Sequence, residues 1–369
     1  MSETTEVAIV GGGIIGLAIA WELAGRGKRV IVLEQGRVGG QASGAAAGLL
    51  APATEQLEPA GFLGLGIASL RAYPTFCAEI QEGSGIDPEL ELSGVLRVAF
   101  DEPSAEQLNK LVGAGGLRSS LLTAADARQL EPGLGPDVVA GLLIHDEGHV
   151  HSPRLVEALG RAARRRGVVI REGTPVVGIV GRNGMTVESF DGTLTAETVI
   201  VAAGAWTGLF PEMRGAVFPV RGQIAAVKPG HTTIQRPVFA PGAYLVPKRD
   251  GSIAVGATED QAGFADAPTL RGVRTILAGG ERLAPALGDA AFVRAWAGLR
   301  PATPDLLPIL GALAPGLVVA SGHYRNGILL APITARHIAD LVLGLPSTAD
   351  LAPFVPGRPA LRNSSNLAR

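Results

Sequence analysis

The chain has 369 residues, of which 47% are hydrophobic and 18% charged, and its formal net charge at pH 7 is −2. That length exceeds one ordinary core and predicts two domains, while a nearly neutral charge gives no electrostatic basis for binding nucleic acid. The single cysteine excludes a disulfide framework and favours a reducing, cytoplasmic location. No run of eighteen apolar residues predicts a membrane span, and the acidic N-terminus is unlike a signal peptide.

The first thirty residues carry the pattern of a dinucleotide-binding unit. An apolar run at 7–10 predicts a buried parallel strand, and the small-residue run 14–25 predicts a helix. Between them three glycines have the spacing G-x-G-x-x-G, namely Gly11, Gly13 and Gly16. Such glycines permit a tight turn, close approach of the backbone to a pyrophosphate, and close packing of helix on strand. The N-terminus of the helix adds free N–H groups that attract phosphate.

The next apolar run, 29–33, ends at Glu34, about 20 residues downstream, where such units place the acid that binds a ribose. The strand, helix and acid together favour dinucleotide binding over an ordinary glycine-rich turn. The run 39–48 then has almost no side-chain bulk. It is either a flexible linker or, as we favour, a backbone that packs against a flat cofactor ring.

Half of the six histidines, His145, His149 and His151, lie close together beside two acids. A metal site is one interpretation of such a cluster. The segment does not have the pattern of a helix that would bring His145 and His149 onto one face, and no second cluster of ligands occurs. We therefore expect a connector or strand and predict no metal.

The remaining pattern predicts an α/β protein, α+β overall, in which a Rossmann-type domain is interrupted twice. A helix at 61–81 should kink or break at Pro74, and two helices are expected within 102–130. Strands separated by Gly and Pro turns are predicted at 91–100 and again from 217. The predicted domains are listed by their ranges: a nucleotide-binding domain of 1–90, 146–216 and 303–369, and a substrate domain, mainly of antiparallel sheet, of 91–145 and 217–302.

Four stretches, 10–16, 39–48, 296–301 and 322–332, resemble the D-amino acid oxidase-like flavoproteins. The similarity runs nearly end to end and is greatest to the glycine-oxidising branch associated with thiamine biosynthesis. It implies non-covalent FAD, since no cysteine lies near Arg300, where some relatives attach flavin. It also implies a small amine or amino acid as substrate and molecular oxygen as partner, with glycine giving glyoxylate, ammonia and hydrogen peroxide. A homo-oligomer is compatible with the resemblance, and the sequence itself is silent on oligomeric state.

The resemblance implies a set of residues that hold FAD. The pyrophosphate would lie on residues 11–16, the adenosine ribose on Glu34, and the adenine near Val176. The implied cofactor-binding residues are Gly11, Gly13, Ile14, Ile15, Gly16, Glu34, Gln35, Ala42, Ser43, Ala47, Gly48, Leu49, Val176, Gly204, Asn326, Gly327, Ile328 and Leu329.

The substrate residues carried over from the family are Arg325 and Tyr244, with Arg300 beside them. A planar guanidinium suits a carboxylate because it donates two parallel hydrogen bonds, and we rank Arg325 first. Glu259 departs from the family pattern, which has an apolar methionine there; it either faces the pocket and favours a cationic amine, sits at the entrance, or is a surface carboxylate. Leu49 replaces a second methionine. The alternatives are a sarcosine, proline or D-amino acid oxidase or dehydrogenase, and a flavin-binding protein without turnover.

Overall fold

A computed structural model describes residues 3–181, 184–231, 234–347 and 349–362. The α-helices are α1 (Ile14–Gly25), α2 (Ala42–Ala45), α3 (Ala60–Ser84), α4 (Glu102–Asn109), α5 (Ala124–Leu130), α6 (Ser152–Arg165), α7 (Leu270–Leu283), α8 (Gly327–Val342) and α9 (Pro359–Arg362). The β-strands are β1 (Glu3–Val10), β2 (Val30–Leu33), β3 (Leu49–Leu50), β4 (Val95–Ala99), β5 (Ser119–Thr123), β6 (Ala140–Ile144), β7 (Gly148–His149), β8 (Val169–Arg171), β9 (Val176–Gly181), β10 (Met185–Ser189), β11 (Gly192–Val201), β12 (Phe218–Lys228), β13 (Val238–Ala240), β14 (Ala243–Pro247), β15 (Ile253–Gly256), β16 (Ala291–Ala302), β17 (Ile309–Ala314) and β18 (Leu317–Ser321).

The first sheet is built on parallel strands in the order β18-β11-β1-β2-β8, with β17 antiparallel at one end. The hairpin of β9 and β10 joins the first half of β11. In this arrangement the carboxyl ends of β1, β2 and β11 meet at one edge of the sheet. Ligands of open α/β sheets bind at that edge.

Alternate residues of β1 pack in two separate hydrophobic cores, one on each face of the first sheet. Val7 and Ile9 pack among residues of α1, α3, α6 and α8, whereas Ala8 and Val10 pack with Met185 of the hairpin. Because successive side chains of a strand point to opposite faces, a strand covered on both faces must be apolar throughout. This explains the continuous apolar run that the sequence shows before the glycines.

The second sheet has the order β16-β12-β15-β14-β13-β4-β6-β5 and is antiparallel except where β13 pairs with β4. On one face Leu245 and Val255 pack in a core that includes Leu283 of α7. On the other face Tyr244 and Ile224 pack with Ala47, which precedes β3. The second sheet therefore presents a wall to the small-residue run that follows β2.

The described structure has the mixed α/β fold class that the sequence predicts, and the two helices expected within 102–130 are present as α4 and α5. Residues 102–130 hold α4 and α5 at their ends with β5 between them, because β5 pairs in register with β6. The helix α3 continues through Pro74 without a break. Its packing against α6 and α8, which buries Tyr73 and Phe76, outweighs the local cost of one proline.

Within 3–181, 184–231, 234–347 and 349–362, no helix is long and apolar enough to cross a membrane.

Candidate active site

One cavity of about 430 Å³ lies between the carboxyl edge of the first sheet and the wall of the second. Predicted site residues that line it are Gly11, Gly13, Ile14, Ile15, Glu34, Gln35, Ala42, Ser43, Ala47, Gly48, Leu49, Val176, Gly204, Asn326, Gly327 and Ile328, together with Tyr244, Arg300 and Arg325. Two predicted cofactor residues lie behind the lining. Gly16 packs against the carbonyl of Gly11, and the carbonyl of the buried Leu329 accepts a hydrogen bond from Ser69 Oγ at 2.6 Å.

The glycines between β1 and α1 form a cradle without side chains. Gly11 has φ +113°, and a Cβ there would overlap the carbonyl of Ala202. A Cβ on Gly16 would overlap the Gly11 carbonyl, so strand and helix approach each other only with glycine at both positions. Gly13 is different, since its only near neighbour is Ser43 Oγ at 3.2 Å and its φ is an ordinary −76°. Neither backbone conformation nor close backbone packing requires glycine at position 13. Its lack of a side chain instead leaves space in the cavity.

The carboxylate of Glu34 is fixed at the end of β2 by two backbone N–H groups. Gly12 donates to Oε2 at 2.7 Å and Gly36 donates to Oε1 at 2.8 Å, and Glu34 is 9% exposed. A carboxylate accepts about four hydrogen bonds in all, so lone pairs of Glu34, which lines the cavity, remain free. Those lone pairs suit the vicinal hydroxyls of a ribose.

The run 39–48 is packed against the second sheet. Trp296 Nε1 donates to the carbonyl of Ala45 at 2.9 Å, and a Cβ on Gly298 would lie 2.7 Å from the Ala45 methyl. Lys248 Nζ donates to the carbonyls of Ala47 at 2.7 Å and Val150 at 3.1 Å, and burial lowers the pKa of Lys248 to about 8. These contacts indicate a fixed backbone surface that lines the cavity, not a flexible linker.

Arg300 lies on β16, pairs with Val220 of β12 and lines the cavity. Its guanidinium lies over Gly222 of β12, where a Cβ would overlap it. The Nη1 atom donates to the carbonyl of Thr258 at 2.8 Å. No carboxylate within the described ranges forms an ion pair with Arg300. One charged group of the cavity therefore keeps hydrogen-bonding capacity for an anion.

Tyr244 lies beside Arg300 and depends on a second glycine. The register of β14 and β15 places it opposite Gly256, where a Cβ would overlap the phenol ring. Burial raises the pKa of the Tyr244 phenol, so the hydroxyl remains a protonated donor near neutral pH. Phe239 stacks on the ring, with centroids 6.1 Å apart, and holds its orientation.

Arg325 is neutralised by two carboxylates. Its Nε lies 3.1 Å from Glu55 Oε2, and its Nη1 lies 2.6 Å from Glu259 Oε1. The side chain of Glu55 is 12% exposed and that of Glu259 is 47% exposed, which places Glu259 at the cavity mouth. Burial by itself lowers the pKa of Arg325, but the two carboxylates raise it above its ordinary value. The ion pairs thus engage Arg325, whereas Arg300 has no carboxylate partner within the described ranges.

A buried acid holds the loop that presents Glu55. Glu147 Oε1 accepts hydrogen bonds from the N–H groups of Ala53 at 2.7 Å and Thr54 at 3.0 Å, and Oε2 accepts from the Thr54 hydroxyl at 2.5 Å. Burial raises the pKa of Glu147 to about 7, although these hydrogen bonds oppose the shift. Arg97 donates to the carbonyl of Thr54 from the other side. The backbone before Glu55 is therefore held at several points.

The histidines lie in structural positions. His145 Nε2 lies 2.9 Å from Ser120 Oγ, His149 pairs with Leu49 across β3 and β7, and His151 caps α6 by accepting from the Arg154 N–H. Among the described residues, no group of three or more His, Cys, Asp or Glu side chains could hold a metal ion. His323 reaches the cavity, but burial lowers its pKa to about 3 and its ring contacts Thr334.

These features fit FAD. The glycine cradle leaves the N–H groups of Gly13 and Ile15 without a protein acceptor within the described part of the chain, at the positive end of α1. Glu34 suits the ribose, and the fixed run 42–49 suits a planar ring. The only cysteine, Cys77 of α3, is 5% exposed in the core and does not line the cavity, which fits a non-covalent cofactor.

The match to a known protein family also indicates FAD. The family of FAD-dependent oxidoreductases matches residues 6–341. The chain belongs to this family. FAD is accordingly the cofactor of this oxidoreductase.

Three relatives illustrate how close the similarity is. The glycine oxidase of Geobacillus kaustophilus is 37% identical over 96% of this chain and 97% of its own length, and its crystal structure matches with a TM-score of 0.94 over 97% of this chain and 99% of that one. The bifunctional protein ThiO/ThiG of Synechocystis is 40% identical over 97% of this chain. The iminodiacetate oxidase of Chelativorans is 28% identical, with a TM-score of 0.87 over 95% of this chain and 99% of that structure. The oxidoreductase spans 54% of the Synechocystis protein, about half its length.

Sequence reasoning missed three residues of the oxidoreductase's cavity. Glu55 gave no signal beyond being an isolated acid between the small-residue run and α3. Gly222, unlike the glycines of the first motif, belongs to no recognisable spacing. Tyr324 stands inside the quoted 322–332 motif and lines the cavity, where burial and the nearby Glu259 carboxylate raise the pKa of its phenol.

Proposed function

We propose that this oxidoreductase oxidises glycine and related small amines to the imine, which water hydrolyses to glyoxylate and ammonia. Molecular oxygen takes up the two electrons and leaves as hydrogen peroxide. The observation that carries the proposal is the guanidinium of Arg300, which lies in the cavity beside Tyr244 and has no carboxylate partner among the residues that the structure describes. Bound FAD supplies the two-electron acceptor that no side chain can provide.

In this proposal Arg300 and Tyr244 bind the carboxylate of the substrate. The guanidinium donates two parallel hydrogen bonds, and the protonated phenol donates a third. Gly222 and Gly256 set the positions of these two side chains, because any larger residue at either place would displace them. Such fixed donors orient a substrate that has no side chain of its own.

No side-chain base is required if the substrate amine binds in its neutral form. His323, the histidine that lines the cavity, carries no proton-accepting role, since its ring is buried and bonded to Thr334. The protein then contributes orientation and exclusion of water, and the amine loses its proton before binding.

The names of the relatives support glycine as the substrate and, through ThiO/ThiG, a role in thiamine biosynthesis. Strands of the two sheets come from separate segments of the chain, which supports the division into an FAD-binding domain (1–90, 146–216, 303–369) and a substrate domain (91–145, 217–302). A homo-oligomer and a cytoplasmic location stay predictions.

A substrate panel tests the proposal. Purified protein loaded with FAD is given glycine, sarcosine, D-alanine or L-proline in air, and hydrogen peroxide is measured. We expect the highest kcat/KM with glycine. Preference for another substrate would favour the related oxidases, whereas turnover only with an artificial electron acceptor would indicate a dehydrogenase. A yellow protein that turns over none of these amines under either condition would refute the proposal.

A further inference from the structure

The charges near Tyr244 are distributed unevenly. Arg300 has no carboxylate partner in the described structure, while Arg325 has two, Glu55 and Glu259. We call Glu55, Arg325 and Glu259 the Arg325 cluster; its formal charges sum to −1. Glu55 and Arg325 line the same cavity as Arg300 and Tyr244, and the side chain of Glu259 is the most exposed of the cluster, at 47% against 12% for Glu55.

We propose that the Arg325 cluster selects against substrates that carry a second carboxylate and favours glycines whose amine bears a neutral or cationic substituent. This inference rests on the proposed function and narrows its substrate class. Once Arg300 and Tyr244 hold the first carboxylate, a substituent on the amine must share the remaining cavity with the cluster.

A second carboxylate gains little from Arg325. All three guanidinium nitrogens are already engaged: Nε and Nη2 contact Glu55 at 3.1 and 3.2 Å, and Nη1 contacts Glu259 at 2.6 Å. To bind there, the incoming anion would have to displace one of the glutamates and leave its charge uncompensated. Displacement of Glu55 is the costlier choice, since its side chain is 12% exposed against 47% for Glu259, and its loop is bonded to Glu147.

A cationic substituent meets the opposite field. The cluster offers one carboxylate more than it has cations, and Glu259 is the more accessible of the two. At separations of about 6–8 Å and an effective dielectric constant of about 20 to 60, one unit charge changes the binding constant of a charged group by about threefold to about 100-fold. Solvent screens the half-exposed Glu259, so the larger effect is expected from Glu55.

Three substrates of similar size separate charge from bulk. N-ethylglycine carries a neutral substituent, iminodiacetate an anionic one, and N-(2-aminoethyl)glycine a cationic one. In the holoenzyme we expect kcat/KM to fall in the order cationic, neutral, anionic. We express the preference as kcat/KM for the cationic substrate divided by kcat/KM for the anionic one. Glu259→Gln should lower this ratio about threefold and Glu55→Gln about tenfold, whereas Glu259→Asp should retain most of the wild-type ratio. Glu82→Gln, at an exposed position of α3, serves as the matched control and should leave the ratio unchanged.

Binding of unreactive carboxylates tests the inference independently of turnover. Ethoxyacetate and diglycolate are the analogues of N-ethylglycine and iminodiacetate in which an ether oxygen replaces the amine. They therefore differ in the same second carboxylate but contain no amine that can be oxidised. Calorimetry on the holoenzyme should show weaker binding of diglycolate, and Glu55→Gln or Glu259→Gln should narrow the difference. Equal affinities in the wild type, or a ratio that neither variant changes, would overturn the inference. Failure of glycine to yield peroxide would count against the proposed function alone, because the binding ratio does not depend on oxidation.

Discussion

The Nη1 atom of Arg325 lies 2.6 Å from Oε1 of Glu259, at the mouth of the FAD-binding cavity. This ion pair accounts for an arginine and a glutamate that the sequence alone treats separately. It also changes the expected role of Arg325, because a guanidinium already bound to carboxylates is a poor ligand for another. Arg300, which lacks such partners in the described structure, becomes the expected anchor of the substrate.

Arg300→Ala should therefore lower kcat/KM for glycine by about 10²- to 10³-fold with FAD still bound, because loss of one partner of a buried charge pair costs about 3–5 kcal/mol. Arg300→Lys should recover only part of the loss, since an ammonium cannot donate two parallel hydrogen bonds. Steady-state kinetics with parallel measurement of flavin absorbance provide the test. Turnover within a few-fold of wild type in Arg300→Ala would show that the carboxylate binds elsewhere.

Arg325→Ala should also reduce turnover, but for a different reason. It leaves Glu55 and Glu259 uncompensated close to the substrate carboxylate. A second substitution, Glu55→Gln, should then recover activity relative to Arg325→Ala alone. A double-mutant cycle on kcat/KM measures this coupling. Additive losses would argue that Arg325 contacts the substrate directly, as the sequence-based ranking holds.

Gly222→Ala should impair the enzyme without unfolding it. The added methyl group would occupy the place of the Arg300 guanidinium, which is the flexible end of a side chain and can move aside. The fold survives, but the carboxylate ligand is displaced by an ångström or more, so kcat/KM for glycine should approach that of Arg300→Ala. Gly230→Ala is the control, since a Cβ there meets nothing within 4 Å. Wild-type kinetics in Gly222→Ala would contradict the proposed position of Arg300.

Gly13→Val should release FAD from a folded protein. Gly13 has an ordinary φ of −76° and only Ser43 Oγ near its Cβ position, so valine causes little strain in the protein itself. Its side chain would extend into the space above the N-terminus of α1, where the pyrophosphate is expected. The ratio of visible flavin absorbance to protein absorbance measures the loss. Gly64→Val, on an exposed turn of α3, should keep full flavin content, and equal content in both variants would refute this position for the pyrophosphate.

Glu147 should make stability depend on pH. Its pKa is raised from 4.5 to about 7 in the folded protein, so the folded state retains a proton that the unfolded chain has already lost. Stability contributed by this group therefore falls as pH rises from about 4.5 to 7 and levels off above that range. Between pH 4.5 and about 7 the free energy of unfolding of Glu147→Gln should therefore rise by roughly 3 kcal/mol relative to that of the wild type, at 1.36 kcal/mol per pKa unit. Urea midpoints of the FAD-saturated proteins between pH 5 and 8 provide the measurement, with Glu82→Gln as control; parallel pH profiles for wild type and Glu147→Gln would contradict the assignment.

The sequence by itself determined the nucleotide-binding unit. The apolar run of β1, the spacing of Gly11, Gly13 and Gly16, and Glu34 at the end of β2 lie within 34 consecutive residues. Each depends on local geometry, since strand, turn and helix follow one another directly along the chain. The remainder of the family pattern was recognisable because its motifs are also contiguous in sequence.

The tertiary structure decided which strand pairings and ion pairs form between segments that are distant in the sequence. Ser119 and Ser120 belong to β5 because β6 supplies a partner in register, and no local pattern in this polar stretch predicts that pairing. Likewise Arg325 and Glu55 are 270 residues apart in the chain, yet their side chains form one ion pair. Charges act through space, so the sequence could name the two arginines of the site but not which one is already neutralised. That distinction required the fold, because only the fold places Glu55 and Glu259 beside Arg325 and leaves Arg300 alone over Gly222.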